Sequence, residues 1–286
     1  MCFSTTVYVN LHAYDLISLS TYIKIVSFVF FIATSIIFFI HEKDYRESGD
    51  EEEPTGLIDT FKKLKSVFTN KNVLSFIGLL LFTKIGNVFS NSILDLVLID
   101  NGLTPKAYSN ICTIFIPIRI IMSYYFSGIK GNYLRLFSLS YKRFIYLFIG
   151  EYIYMFVFLY FSTQENVSFV FIWNSFLRYV LIISLWITKC YIGHMNFASL
   201  NGFFNKIIDK EIGATYITML NSFNNLSEKW PGIFVFYLVD LIGYKLIGIL
   251  SILYCIGYYM VSKSVFYRLD DLDESEWKIN RKEKKN

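Results

Sequence analysis

The sequence predicts an all-α membrane protein that crosses the bilayer several times. Of its 286 residues, 54% are hydrophobic and only 17% are charged, and the mean hydropathy is +0.44; soluble domains carry about 25% charged residues. Its 29 Phe and 22 Tyr residues are too many to bury in one soluble core of this size. These observations argue against a soluble globular enzyme and a disordered chain, and four Cys are too few for a disulfide scaffold.

Seven stretches are long enough to cross a hydrocarbon core, which takes about 20 apolar residues per helix. Strand-like alternation is absent from the sequence, so each span is expected to be helical. The second span is polar in its second half, and the fifth is too long for one straight crossing, so we expect it to tilt. The spans are residues 22–40, 73–99, 108–126, 144–161, 172–203, 212–239 and 246–262.

The basic residues predict the orientation. Nineteen of the 27 Lys and Arg residues fall in the loops and the tail on one side of the seven spans, and only Lys106 and Lys245 fall on the other side. Because basic loops stay in the cytosol, we expect the C-terminus to be cytosolic. Residues 42–71 are predicted to form an acidic linker followed by a basic amphipathic helix on the membrane surface. A solvated connector is the alternative. Residues 72–263 are predicted to form a six-helix unit and residues 264–286 a basic tail.

Polar side chains form a stripe along each of two spans. Lys84, Asn87, Asn91 and Asp95 follow offsets of 0, 3, 7 and 11, which place them on one helix face. Thr218, Asn221, Asn225 and Lys229 repeat the same offsets in the sixth span. Charged groups at this depth are costly unless they face protein or water, so we expect both helices to line one polar cavity. Hydrogen bonds between packed helices are the alternative.

The membrane interior has a surplus of basic side chains. Arg119 and Lys189 join Lys84, and the carboxylates that can neutralise them are Asp95, Glu151 and Glu228. Surplus positive charge favours an anionic, phosphorylated small-molecule substrate. The alternative is internal ion pairing, for example of Lys84 with Asp95 or of Lys189 with Glu151.

Asp95, Glu151 and His194 are candidates for a proton relay. His194 is the histidine that falls within a predicted span. The alternative to a relay role is that His194 acts as a catalytic base, as in membrane-bound O-acyltransferases. The Cys residues lack metal or redox spacing. We therefore expect no metal site. We also expect no cofactor, no enzyme activity and no nucleic-acid partner.

Residues 204–231 read FNKIIDKEIGATYITMLNSFNNLSEKWP. This block resembles the acetyl-coenzyme A transporters of the endoplasmic reticulum membrane, solute carrier family 33 in the major facilitator superfamily. The family pattern there is K-x-x-D-x-x-I-G-G-T-Y-M-T-L-L-N followed by S-N-L-G-x-x-W-P. Further similarities occur at Lys84-Ile85-Gly86, Gly150-Glu151-Tyr152 and Trp277-Lys278. Ala214, Ser227, Glu228, Lys229 and Arg119 depart from the pattern.

The resemblance implies the fold and function of a transporter half. The chain is similar to helices 6–12 of a twelve-helix major facilitator, with residues 1–41 as the last helix of the N-terminal half, so we expect a partial chain that lacks five preceding helices. The implied function is acetyl-coenzyme A transport from cytosol into the endoplasmic reticulum lumen. Alternatives are a muropeptide-permease-like carrier of another anion, an O-acyltransferase using His194, and a non-transporting half-carrier.

The resemblance also implies roles for particular residues. The substrate-binding set would bind the phosphates, the nucleotide and the pantetheine amides: Lys84, Asn87, Asn91, Arg119, Lys189, Asn221 and Asn225. The motif and gating set would include a latch between Lys206 and Asp209: Lys206, Asp209, Gly213, Thr215, Tyr216, Trp230 and Pro231. The substrate, the lipid bilayer and a second copy in a homodimer are the expected partners. A K-x-K-x-x pattern at residues 282–286 fits a retrieval signal for the endoplasmic reticulum.

Overall fold

A computed structural model describes residues 11, 16–39, 62, 65, 67–162, 168–208 and 213–277. The described residues are helical apart from turns and short connections, and they contain no strand. The prediction of an all-α polytopic membrane protein is confirmed. The chain divides into two units, one of residues 1–56 and 103–116 and one of residues 57–102 and 117–286.

The first unit contains helix α1, Leu19–Phe39, and the beginning of helix α4, Pro105–Phe126. The side chains of α1 are largely exposed, including those of Phe28, Phe30 and Phe31. Such an apolar and exposed helix is typical of contact with lipid.

The second unit contains the rest of α4 and the other helices. A π-helical turn, Phe89–Ile93, lies between α2 and α3, and a short 3-10 helix, Glu274–Glu276, follows α8. The helices are α2, Lys71–Thr83; α3, Leu94–Asp100; α5, Tyr133–Ser162; α6, Ser168–Ile207; α7, Gly213–Ile242; and α8, Tyr244–Asp270.

The described residues of the seven predicted spans fall in helices, except that the second span is divided into α2 and α3 by turns at residues 84–86 and by the π turn. Within the part of the chain that the structure describes, four helices contain a segment long and apolar enough to cross a membrane: Pro105–Phe126, Tyr133–Tyr160, Tyr179–Ile207 and Tyr244–Asp270. Helices α1 and α2 contribute shorter apolar segments, Ser20–Ile36 and Lys71–Thr83. Helix α7 is long but carries the polar stripe of the sixth span.

Helix α5 packs on α6 and α8, and α7 packs on α2. The apolar core lies at the end of the unit where α5 begins and α6 ends. Phe76 of α2, Phe137 of α5, Phe203 of α6 and Phe266 of α8 are all at most 1% exposed there. This core fixes the relative positions of the helices that carry the polar side chains.

Several predicted features lie outside the described residues. They are the acidic linker, most of the amphipathic helix, Asp209, and the basic tail from residue 278 onward. The predictions made for them stay predictions.

Candidate substrate cavity

The second predicted span is interrupted near its middle. Helix α2 ends at Thr83, and residues 84–86 form turns before the π turn. A helix end leaves carbonyl groups without partners, and within a bilayer these groups must be bonded by the protein. Aromatic donors from α5, α7 and α8 bond three of these carbonyls: Trp230 Nε1 to Leu81 O at 3.1 Å, Tyr254 Oη to Phe82 O at 2.8 Å, and Tyr141 Oη to Thr83 O at 3.1 Å. Close to the break, Tyr258 Oη also donates to Leu79 O at 2.8 Å.

Gly86 lets α8 approach this break closely. A Cβ atom at position 86 would lie 2.8 Å from the carbonyl oxygen of Ser251 and would also collide with Cys255 Sγ. Because one of these neighbours is backbone, the clash is not relieved by turning a side chain. Gly86 is therefore required for the contact between the break and α8.

The Gly86→Ala variant should be destabilised by about 1–3 kcal/mol, as expected for overpacking. Thermal unfolding of the purified chain in detergent measures this effect. The matched control is Gly78→Ala in α2, where a Cβ would meet nothing within 4 Å; this variant should unfold at the same temperature as the parent or higher. Equal unfolding temperatures for the two variants would contradict the close contact.

A cavity of about 340 Å³ opens beside the break, between the first polar stripe and α7. Lys84, Asn87 and Asn91 line it from one side, and Glu228 and Lys229 line it from the other. Three of the four residues in the first stripe therefore meet α7 across one space. The remaining lining consists of Val88, Ser92, Gly232, Ile233 and Phe236.

Lys84 is the best-positioned cation of this cavity. Its Nζ lies 3.4 Å from Glu228 Oε2 and donates to the backbone oxygen of Asn224, also at 3.4 Å. The Lys84 side chain is 19% exposed and that of Glu228 is 51% exposed. Lys84 is thus held by a carboxylate that itself reaches solvent, so an anionic ligand can replace this partner.

The π turn explains why Asp95 does not share this cavity. Leu94 N–H bonds to Phe89 O across the turn, and a π bulge inserts one extra residue into the helix. Residues beyond the insertion are rotated by roughly 100° relative to a continuous helix. Lys84, Asn87 and Asn91 therefore keep their common face, whereas Asp95 turns away from it.

The second stripe, on α7, does not line the cavity along its length as predicted. Of its four residues, Lys229 lines the cavity, whereas Asn221 and Asn225 do not. Thr218 and Asn225 are exposed and Asn221 is half-buried. Thr218 Oγ1 donates to the backbone oxygen of Ala214 at 2.8 Å, which is a bond within α7. The stripe gives α7 a solvent-accessible polar face.

A second polar cluster is buried where α5 and α6 meet the π turn. Glu151 is 1% exposed, and its Oε1 lies 3.4 Å from Lys189 Nζ. Lys189 Nζ also donates to the backbone oxygen of Ser90 at 2.5 Å, and Ser90 Oγ donates to Glu151 Oε2. Lys189 therefore forms the ion pair that the sequence offered as the alternative, and it does not line the cavity.

The other predicted residues of the relay and the binding set lie on separate elements. Asp95 interacts electrostatically with Glu151. The Nδ1 atom of His194 lies 2.9 Å from the backbone oxygen of Cys190, one turn earlier in α6. Arg119 is half-buried on α4 and is not among the residues that line the cavity.

The motif in residues 204–231 has a structural basis in α7. Gly213 begins the helix, Tyr216 is fully buried in the core, and Thr215 is exposed. Trp230 contacts the ring of Phe82 as well as the carbonyl of Leu81, and Pro231 is buried within the helix. The Trp-Pro pair thus joins α7 to the break in the neighbouring helix.

Lys206 takes part in a cluster at the end of the unit where α5 begins. Its Nζ donates to the backbone oxygen of Asp270 at 3.3 Å. The Asp270 carboxylate accepts from the backbone N–H groups of Leu134 at 3.0 Å and Arg135 at 3.3 Å, so it caps α5. Sequence reasoning missed this cap because Asp270 lies more than 130 residues along the chain from the helix that it caps.

The Asp270→Ala variant should lose about 1–2 kcal/mol of stability, as for a lost helix cap. Asp271→Ala is the matched control, because Asp271 is exposed and its carboxylate pairs with Arg135 at 2.6 and 2.7 Å on the surface. An exposed pair is worth about 0–1 kcal/mol. Denaturant titration should give Asp270→Ala a lower free energy of unfolding than Asp271→Ala. A lower value for Asp271→Ala would contradict the capping role.

Comparison with known proteins places this architecture in a family. A sequence model described as "Acetyl-coenzyme A transporter 1" matches residues 40–250. The chain belongs to the acetyl-coenzyme A transporter 1 family. The match covers α2 to α7, including the lining of the cavity and the buried Glu151–Lys189 pair. The family resemblance predicted from residues 204–231 is therefore confirmed.

One similar relative is a Schizosaccharomyces pombe (strain 972 / ATCC 24843) protein described as "Uncharacterized protein C21B10.09". It is 26% identical over 230 residues, which is 79% of this chain and 41% of the relative. The chain thus spans less than half the length of that relative. No solved structure matches the chain.

Proposed function

We propose that this chain forms one half of a membrane carrier for acetyl-coenzyme A, which moves the substrate from the cytosol into the lumen of the endoplasmic reticulum. Family membership supports the transport of this coenzyme in general. The observation that carries the proposal for this chain is the cavity beside the break, whose described lining includes two lysines, Lys84 and Lys229, and one carboxylate, Glu228.

The charge of the cavity suits a phosphorylated ligand. Two ammonium groups and one carboxylate leave a surplus of positive charge, and lysines bind phosphate as point charges. In the proposed complex a phosphate oxygen replaces Glu228 as the partner of Lys84, while Glu228 remains in solvent. The cavity volume of about 340 Å³ is at the small end of ligand pockets. We therefore propose that it binds the phosphate-bearing end of the coenzyme.

The remaining amides would bind the rest of the substrate. Asn87 and Asn91 line the cavity next to Lys84, and an amide donates and accepts hydrogen bonds with nucleotide or pantetheine groups. Asn221, Asn225 and Arg119 are assigned to the same pathway outside the cavity. The polar face of α7 then lies along the route, with acetyl-coenzyme A as cargo and no resident cofactor.

The buried cluster is assigned a different role from the cavity. We assign Asp95, Glu151 and His194 to proton movement, since the buried Glu151 pairs with Lys189 and interacts electrostatically with Asp95. The Lys189 ammonium binds the Ser90 carbonyl in the π turn, so it supports the segment that carries Asn87 and Asn91. Lys189 is thus proposed to position the binding residues and not to contact phosphate.

The other wall of the pathway would come from a second polypeptide half, either a preceding segment or a second copy in a homodimer. Rocking of two such halves is the usual route of alternating access. Lys206 and Asp209 are proposed as part of the cytosolic latch. The basic tail, with its K-x-K-x-x pattern, is proposed to lie in the cytosol and to retain the protein in the endoplasmic reticulum.

Uptake of labelled acetyl-coenzyme A by proteoliposomes that contain the chain tests the proposal. We expect the chain to bind labelled acetyl-coenzyme A saturably. Free coenzyme A should compete with this binding, and muropeptides should not. Uptake should occur when the second half of the carrier is also present. Binding without uptake would identify a non-transporting half-carrier. Competition by muropeptides but not by coenzyme A, or the absence of binding, would contradict the assignment of the substrate.

A further inference from the structure

An open groove of about 470 Å³ lies in the second unit, apart from the cavity beside the break. The end of α4 contributes Tyr125 and Phe126, α5 contributes Leu136, Leu139 and Arg143, and α6 contributes Tyr191 and Met195. Apart from the Arg143 guanidinium and the Tyr hydroxyls, these side chains are apolar. The groove therefore combines a long apolar surface with one strong cation.

Arg143 has no acidic partner among the residues that the structure describes. Its Nη1 atom donates to Tyr191 Oη and contacts Met195 Sδ, both at 3.4 Å, and its guanidinium lies 6.0 Å from the centroid of the Tyr191 ring. Arg135, two turns earlier in the same helix, instead donates from Nη2 to both carboxylate oxygens of Asp271. The Arg143 guanidinium thus keeps most of its donors available for an anion.

The position of Arg143 along α5 corresponds to a membrane surface. It directly precedes the apolar run of residues 144–161, and residues 127–143 contain four basic residues and no acidic ones. Lys130 and Lys142 are exposed. Tyr124 and Tyr125, at the end of α4, are 84% and 71% exposed, as in the aromatic belt at a lipid–water interface.

We propose that this groove binds an anionic glycerophospholipid, with its phosphate on Arg143 and an acyl chain along Tyr125, Leu136 and Leu139. Charge complementarity selects the headgroup, because a groove whose described lining contains Arg143 and no acidic residue attracts anionic lipid and an Arg fork binds phosphate oxygens in pairs. The apolar groove selects a lipid over a free phosphate ion. The proposal does not depend on the transported substrate.

Native mass spectrometry of the chain released from nanodiscs tests the proposal. The nanodiscs contain equal amounts of phosphatidylcholine and phosphatidylserine. The parent chain should retain phosphatidylserine preferentially, and Arg143→Gln should lose about tenfold of this preference, on the scale of one lost charge-assisted contact. The matched control is Lys263→Gln, because Lys263 also lies over a tyrosine ring, that of Tyr267 at 5.7 Å, but outside the groove. This control should retain the lipid as the parent does.

A second variant tests the contribution of the apolar groove to lipid binding separately from that of the Arg143 charge. Leu139→Trp narrows the groove and leaves Arg143 in place, and it should also lose the bound lipid. Thermal unfolding in a zwitterionic detergent confirms that each variant is folded. Unchanged phosphatidylserine retention in both folded variants would overturn the proposal. Displacement of the lipid by millimolar inorganic phosphate would overturn the assignment to a lipid and indicate a free-anion site.

Discussion

Replacing Lys84 by Gln should weaken the binding of acetyl-coenzyme A by about tenfold to a hundredfold. The expected loss is that of one hydrogen bond to a charged group, about 1.5–3 kcal/mol. Lys84 lines the cavity, and its ammonium group is bound by a Glu228 carboxylate that is half exposed to solvent. The measurement is equilibrium binding of labelled acetyl-coenzyme A to the purified chain.

Two further variants make this result specific. Glu228→Gln removes the carboxylate that competes with the ligand for Lys84, so it should tighten binding. Lys245→Gln is the matched control for loss of one positive charge, because Lys245 is exposed and lies outside the cavity. If Lys84→Gln bound the coenzyme as tightly as Lys245→Gln does, phosphate recognition by this cavity would be wrong.

Replacing Glu151 by Ala should lower the free energy of unfolding by about 3–5 kcal/mol, the usual cost of leaving one member of a buried ion pair alone. The reason is that the change removes the carboxylate that binds both Lys189 Nζ and Ser90 Oγ. The Lys189 ammonium then keeps the Ser90 carbonyl as its described partner. Chemical denaturation of the chain in detergent micelles measures the effect.

The double variant Glu151→Leu/Lys189→Met tests the physical cause. Exchange of both charges for apolar groups of similar size is often close to neutral, so this variant should recover most of the lost stability. The matched pair Arg135→Gln/Asp271→Asn removes an exposed ion pair and should change stability by only about 0–1 kcal/mol. If the double variant were as unstable as Glu151→Ala, loss of packing and not an unpaired charge would be the cause.

The helices followed directly from the sequence because apolar length is a local property. Apart from the interrupted second span, the described residues of each predicted span fall in one helix, including the long stretch of residues 172–203. The interruption after Thr83 was not predicted, since Lys84, Asn87, Asn91 and Asp95 keep the spacing of an unbroken helix. The groups that stabilise the break, such as Tyr141 and Tyr258, lie in distant segments and resemble any other membrane tyrosine.

Only part of the site was predicted, because helical spacing is a local property and the packing of helices is not. Helical spacing identified Lys84, Asn87 and Asn91, which do line one cavity. Spacing cannot give the rotation of α7 about its axis. In the structure this rotation brings Glu228, and not Asn225, to Lys84. It also cannot decide between a ligand and an internal partner for a buried lysine. Lys189 is such a case, since Glu151 lies close to it only after α5 and α6 have packed together.

The proposed function requires that the cavity beside the break is open to water and admits the coenzyme. Reaction with a membrane-impermeant thiol reagent tests it in a chain whose four native cysteines are replaced by Ser. Asn91→Cys should react, and acetyl-coenzyme A should protect it. Leu96→Cys, which is also exposed but is not among the residues that line the cavity, should not react. Equal failure of both cysteines to react would contradict a water-filled cavity, and reaction without protection would contradict binding of the coenzyme there.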